Sequence, residues 1–381
     1  NIEAVIDLSA LTRTSFGPNG LRKLIVNHFD KLFITGDAAV ILNEAEIQHP
    51  AAKMLVDASK MQAEQVGDGT NLVLVIAGEL LNKAAELVRS GVHTRDIVNG
   101  YQTGLKKTLE ILDTLSHKDR FELGHKAKVA AAIKTSLSSH QFIDADFLAD
   151  MVADACIMSS PKNGGRFDVD NVRVVKALGG SVADSFVVHG FAIQREVMGT
   201  IRHVKDARIA VFATGFELAQ TDTKMSTVFT SGADMENFEK SEEAKMREVV
   251  ASIAKHGVNV VVCQSKISEL AVHFLEEFHI LALQIPSAWD IKRLCRAVKA
   301  TSILRIGEPT EDEIGSCTSV DCREIGSTPI IVFENESCLS SIVVRGSTPN
   351  IIDDIERSIE DAVNSYQVLL KDSRLCAGGG A

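Results

Sequence analysis

The spacing of apolar and polar positions predicts two helices meeting at a short glycine-bracketed loop, Val66-Gly67-Asp68-Gly69-Thr70-Asn71. Upstream, Met54, Leu55, Ala58 and Met61 recur at helical spacing behind His49-Pro50, and proline suits a first helical position. Gly67 stops that helix. The second runs from about Thr70 through Leu72, Leu74, Leu80 and Leu87 to Gly91, with Thr70 as its cap. A helix start of this kind offers free N–H groups and a positive dipole, which suit a phosphate. Asp68 can share that place with a phosphate only across a cation, and Mg²⁺ held by carboxylate and phosphate oxygens is the usual solution. Taken alone, so short a motif more often marks an ordinary interhelical turn.

The same reading predicts a helix over residues 2–15, ended by the turn Phe16-Gly17-Pro18-Asn19-Gly20. Strands at 23–27 and 32–35 follow, paired as a hairpin through 28–31. Gly36-Asp37-Ala38 then lies at a strand-to-helix junction. Helices dominate to about His117 and continue over 119–160, with an interruption at Thr135-Ser136-Leu137-Ser138-Ser139-His140. Near Asp168 the character changes. Strands are expected at 171–178, 185–197, 208–213 and 258–263, with a polar, turn-rich stretch over 217–232 and an amphipathic helix over 233–255. Helix 266–278, strand 280–285, helix 288–300 and strand 302–306 then alternate, which points to an α/β domain. Strands 329–334 and 339–345 lead to a last long helix at 350–371. The order is helical, mixed, then helical again, as when one domain is inserted within another.

Composition narrows the function. The 381 residues suggest two or three domains, and 45% hydrophobic with 24% charged residues describes a soluble globular chain. A net charge of −11 argues against nonspecific nucleic-acid binding, and one Trp with two Tyr builds no base-stacking platform. No apolar run approaches a membrane span, and no signal peptide is visible. Seven cysteines, at 156, 263, 295, 317, 322, 338 and 376, form no C-x-x-C pair and read as reduced intracellular thiols. The eleven histidines show no metal-ligand spacing. No Walker lysine motif, protein-kinase signature or G-x-G-x-x-G after a strand is present. The chain opens at Asn1 without Met and stops abruptly at Gly378-Gly379-Gly380-Ala381, so both natural ends are expected to lie outside it.

Four motifs, Gly17-Pro18-Asn19-Gly20, Thr35-Gly36-Asp37-Ala38, Gly67-Asp68-Gly69-Thr70 and Gly378-Gly379-Gly380-Ala381, occur in the order seen in group II chaperonins. His49-Pro50-Ala51-Ala52-Lys53-Met54, Phe167-Asp168-Val169-Asp170-Asn171, Trp289-Asp290 and Arg345-Gly346-Ser347-Thr348 extend the match, so the whole chain resembles a subunit of the eukaryotic cytosolic chaperonin TRiC/CCT. The resemblance implies a mixed α and α/β chaperonin fold with three domains. Residues 1–118 would be the N-terminal half of a mostly helical equatorial domain, whose C-terminal half would follow residue 381. Residues 119–187 and 339–375 would form a hinge-like intermediate domain, and 188–338 an inserted α/β apical domain with a protrusion at about 217–245. Residues 376–381 would return to the equatorial domain.

The resemblance also implies an ATPase that drives protein folding in the cytoplasm with ATP and Mg²⁺ as cofactors. Its partners would be other subunits of an eight-membered hetero-oligomeric ring, stacked as a double ring, and unfolded clients such as cytoskeletal proteins, with no nucleic acid and no membrane. Phe16 and Gly17 would line the nucleotide. Gly67, Gly69, Thr70, Asn71 and Leu72 would cradle its phosphates, and Asp68 would hold Mg²⁺. Ser138, Ser139 and His140 match a segment near the nucleotide, although Lys often stands where His140 does. Gly379, with Gly378, would pack against the adenosine. Asp37 and Asp361 match the two catalytic carboxylates that position and activate water. The family pattern around Asp37 is Asn-Asp-Gly-Ala-Thr, whereas here it is Gly36-Asp37-Ala38-Ala39-Val40, and Cys376-Ala377 replaces Val-Pro. Both departures bear on the hydrolysis rate more than on binding.

Plainer meanings stand beside these. Asp354, Ser358 and Asp361 form a polar stripe opposite the apolar Ile355, Ile359, Ala362 and Tyr366, so Asp361 alone reads as a solvated charge. Asp37 alone reads equally as a helix cap. Lys292, Arg293 and Arg296 are either solvent-facing or, by resemblance, a basic substrate-binding face. Residues 217–245 suit a built-in lid or a surface excursion. Two function classes remain: an ATP-driven folding machine, and a chaperonin-like interaction scaffold that binds nucleotide weakly or not at all and does not turn over. Retention of Asp37, Asp68 and Asp361 favours the first.

Overall fold

The computed structural model describes all residues except 18, 28–29, 46, 117–124, 141–143, 162–164, 217–231 and 379–381, and the backbone alone of 140 and 232–242. The chain opens with α1 (Ile2–Arg13), the hairpin β1 (Lys23–Val26) and β2 (Leu32–Thr35), then α2 (Ala38–Glu44), α3 (Pro50–Gln65), α4 (Thr70–Arg89), α5 (Thr94–Leu115), α6 (Lys126–His140) and α7 (Ala145–Ser159). It continues through β3 (Val172–Leu178), β4 (Phe186–Ile193), β5 (Val197–Met198), β6 (His203–Phe212), α8 (Gly232–Lys255), β7 (Val260–Cys263), α9 (Glu269–Glu277), β8 (Leu281–Gln284) and α10 (Ala288–Val298). The antiparallel β9 (Gly315–Ile325) and β10 (Thr328–Glu334) precede β11 (Ser340–Gly346) and the closing α11 (Pro349–Lys371).

Two compact units result. The first comprises residues 1–157, 166–169 and 348–381; the second comprises 158–165 and 170–347. The second is therefore inserted in the first, as the helical–mixed–helical order predicts. In the first unit, Leu8, Ala38, Leu42, Ala52, Val56 and Leu74 form one buried cluster. α11 packs on α6, and Tyr366 meets Phe167 edge-on at 5.1 Å between ring centroids. In the second unit the described strands form one sheet in the order β3-β11-β4-β10-β9-β6-β7-β8-β5. β6, β7 and β8 run parallel, with α8 and α9 making the crossovers that parallel strands require. The apolar run Val260-Val261-Val262-Cys263 is buried along its whole length, as a central parallel strand must be.

Three expectations fail for identifiable reasons. The serine-rich segment 135–140 does not interrupt a helix. α6 runs through it because Ile133 and Leu137 are fully buried on a helix packed against α11, while the hydroxyls of Thr135, Ser138 and Ser139 donate to the carbonyls of Ala132, Thr135 and Ser136, three residues back. The strand expected at 302–306 is reduced to one bridge, Ile303 to Phe212, and Leu304 is exposed. β9 was absent from the sequence reading, since Gly-Ser-Cys-Thr-Ser-Val-Asp-Cys-Arg-Glu-Ile is too polar to announce a strand. It is held between β10 and β6 by its ladders. The expected lid lies mostly outside the described residues. No described helix is long and apolar enough to cross a membrane.

Burial is unequal along the first unit. α5 buries only Ile97 and leaves Val98, Leu105, Leu109, Ile111, Leu112 and Leu115 exposed. Opening free energy follows buried contacts. In the free 381-residue polypeptide, amides 260–263 should therefore exchange with solvent about two orders of magnitude more slowly, or more, than those of 105–115. Equal protection of both segments in hydrogen-exchange mass spectrometry would contradict this.

Candidate active site

The site is built where α3 hands over to α4. His49 caps α3, its Nδ1 accepting the Ala51 N–H at 3.2 Å, and Pro50 follows in the first turn. At the far end Gly67 (φ 82°) and Gly69 (φ 80°) both take left-handed backbone conformations, which glycine adopts without strain. The cap of α4 is Gly69, not Thr70, and a glycine cap has no side chain to bond the first-turn amides. Its first-turn amides are thus left to an outside acceptor.

These residues line a cleft of about 580 Å³, within the range of small-molecule sites. Phe16, Gly17, Asp37, Gly67, Asp68, Gly69, Thr70, Asn71, Leu72, Ser139 and Asp361 all contribute to its wall, so most of the sequence-predicted site converges in one place. Two predicted residues do not join it. Ser138 turns its hydroxyl onto the Thr135 carbonyl and is not among the lining residues. Gly378 is exposed and also absent from the lining, where Leu375 stands instead. The His140 side chain and Gly379 lie outside the described residues.

Asp68 is oriented by partners that its sequence neighbourhood does not reveal. Ser136 Oγ donates to its Oδ2 at 2.7 Å and Ser365 Oγ at 3.5 Å, while the Gly69 N–H donates to Oδ1 at 2.5 Å. Gln62 Nε2 bonds the Asp68 carbonyl at 3.0 Å. Sequence reasoning singled out none of these side chains. The available signal was Ser365 continuing the Asp354, Ser358, Asp361 stripe by one more turn.

That stripe is not the solvated face it resembles. Asp354 and Ser358 are buried, and Asp361 is half-buried and faces the cleft. Burial, reinforced by the nearby carboxylates of Asp68 and Asp37, pushes the Asp361 carboxyl up to about 9, and Arg357 opposes the shift. Asp37 is indeed a helix cap, its Oδ1 accepting the Ala39 N–H at 2.9 Å, and it reaches the cleft as well. Capping α2 thus does not withdraw it from the cleft.

The cleft suits Mg²⁺-nucleotide by the chemistry of its donors. Among the described residues no three His, Cys, Asp or Glu groups form a ready-made metal cage. A cation beside Asp68 would complete its shell with phosphate and water oxygens, the ordinary habit of Mg²⁺. Asn71, one of the lining residues, donates to the Thr12 carbonyl and Ser15 Oγ, yet its buried Oδ1 has no partner among the described residues. Such an orphan acceptor costs about 1–3 kcal/mol until a donor such as a metal-bound water arrives.

The profile of the TCP-1/cpn60 chaperonin family matches residues 8–381. The chain belongs to that family. It is 44% identical over 384 residues to T-complex protein 1 subunit theta of Homo sapiens, covering 100% of this chain and 70% of the relative. The subunits theta of Arabidopsis thaliana and Dictyostelium discoideum are each 42% identical, over 386 and 384 residues, again across this whole chain and over 70% and 72% of their own lengths.

The basic face on α10 of this chaperonin is less free than its sequence suggests. Arg293 is ion-paired to Asp290 at 3.2 Å and lies 4.0 Å from Asp170. Lys292 is exposed and lies over the exposed Trp289 ring, 5.7 Å from its centroid. Arg296 is exposed.

Proposed function

We propose that this chain is a theta-type subunit of a hetero-oligomeric cytosolic chaperonin ring, and that it binds Mg²⁺-ATP and hydrolyses it to drive folding of client proteins. The observation that carries the reading is the convergence of Asp37, Asp68 and Asp361 on one cleft at the uncapped start of α4. Chaperonins are ATPases in general, and phosphoryl transfer asks a protein mainly to neutralise charge and place the water.

When bound, Mg²⁺-ATP supplies the phosphoryl group that passes to water. The residues of this chain divide the remaining work. The amides of Thr70, Asn71 and Leu72 receive phosphate oxygens, aided by the α4 dipole. Gly67 and Gly69 let the loop take its two left-handed turns, which bring Asp68 and the start of α4 together. Asp68, fixed by Ser136 and Ser365, holds the cation, and Phe16 with Gly17 walls the nucleotide. Asp361 and Asp37 would orient the water, and an ionised carboxylate of the pair would take up its proton.

In this reading residues 1–118 are equatorial, 119–187 and 339–375 serve as the hinge, and the inserted α/β stretch 188–338 carries the client-binding surface; β3 and β11 of the sheet then fall in the hinge segments. Lys292 with Trp289 is then the better anchor for an acidic or amphipathic segment, because Arg293 is already paired. A scaffold without turnover would have no use for three carboxylates in one cleft. A ring in which this chain is the one subunit with intact carboxylates tests the proposal. Single-turnover hydrolysis of radiolabelled ATP is expected; binding without hydrolysis would overturn it in favour of the scaffold.

A further inference from the structure

One face of α11 touches each segment that builds the cleft. Asp354 pairs with Arg22, just beyond the Phe16–Gly20 turn, at 3.0 Å. Asn364 packs against Gly67, and Ser365 reaches Asp68. Between them, Arg357 Nη1 donates to Thr35 Oγ1 at 3.1 Å. The same oxygen accepts the Asp37 backbone N–H, also at 3.1 Å. Thr35 is wholly buried at the end of β2. A single buried hydroxyl thus ties the helix bearing Asp361 to the backbone of Asp37.

We propose that Arg357 is a positioning residue for water activation, setting Asp37 relative to Asp361 through Thr35. The proposal rests on the hydrolysis reading above. Arg357 lies one helical turn before Asp361 and is not among the residues lining the cleft. Its guanidinium holds the β2–α2 junction, where Asp37 has left the strand and begun to cap α2. The neighbourhood needs such a tie. The Gly36-Asp37-Ala38-Ala39-Val40 sequence lacks a side-chain hydroxyl of its own.

The test uses Arg357→Met, which keeps the apolar stem without the guanidinium, and the near-isosteric Thr35→Val in the assembled ring, both lacking the bond, with Thr35→Ser as the rescue. Each of the first two should slow single-turnover hydrolysis about tenfold or more, as small misplacements of reacting groups do. Mg²⁺-ATP affinity by calorimetry should stay within about twofold, since neither residue lines the cleft. The double variant should be no slower than the slower single variant, because both break one bond. Thr35→Ser should hydrolyse at nearly the wild-type rate. A second readout needs no nucleotide. Amides of residues 35–44 should exchange faster in Arg357→Met while those of 260–263 do not change.

Wild-type rates in both variants, with Asp361→Ala slowed, would overturn the positioning role and leave the ATPase reading standing. Loss of affinity at unchanged rate would overturn it too. If Asp361→Ala is as fast as wild type, the hydrolysis reading falls and this proposal falls with it.

Discussion

Asp361→Asn should stabilise the nucleotide-free protein at pH 8 by about 1–3 kcal/mol, hardly change it at pH 4, and slow hydrolysis by about a hundredfold. The stability effect follows from the raised Asp361 carboxyl, at about 9 against an ordinary 3.8. Between those values the folded protein holds a proton that the unfolded chain has released. Stability associated with this group is therefore whole below about pH 4 and falls as pH rises toward 9, by up to about 1.4 kcal/mol per pH unit. Asparagine keeps the shape, cannot ionise, and removes that slope. The catalytic loss has the opposite sense, because the amide cannot accept a proton from water. Urea titrations at pH 4 and pH 8 measure the first effect and single-turnover assays the second. An advantage equal at both pH values would show that Asp361 is not the strained group.

Asp68→Ala should weaken Mg²⁺-ATP binding at least tenfold, about 1.4 kcal/mol, and should leave binding of metal-free ATP unchanged or tighter. With the cation present, Asp68 bridges to the phosphates. Without it, the carboxylate only repels them, at a helix start otherwise suited to anions. Calorimetry with Mg²⁺ and then with a chelator separates the two cases. An equal loss in both would mean that the carboxylate acts on the loop, through its bond to the Gly69 N–H, and not on a metal.

The difference between what the sequence disclosed and what it hid follows the range of the forces involved. The α3–α4 turn is local: His49-Pro50 starts a helix, Gly67 ends it, and Gly69 supplies φ 80°. Those rules act within a few residues, so the glycine-bracketed loop was legible. Likewise β7 and α10 have periodicities that neighbouring strands do not need to complete. β9 is a strand because β6 and β10 offer their edges to it, and no pattern within it says so. Ser136 lies 68 positions from Asp68, and Arg357 lies 322 from Thr35. Helix α11 misled most. Its polar stripe has the look of a solvent face, and only tertiary structure shows that Asp354, Ser358 and Asp361 turn inward. The family resemblance, not the pattern, singled out Asp361.

Gly67 has a consequence for how such a site can change over generations. A Cβ built there would lie 2.2 Å from the Asn364 side chain, and φ 82° already excludes most residues. A shorter residue at 364 would relieve the collision but not the backbone, so no single substitution opens a path away from glycine. The position behaves as a ratchet: a lineage that keeps this turn against α11 keeps its glycine, and a side chain at 67 in a descendant would be an early mark that the turn itself has been rebuilt.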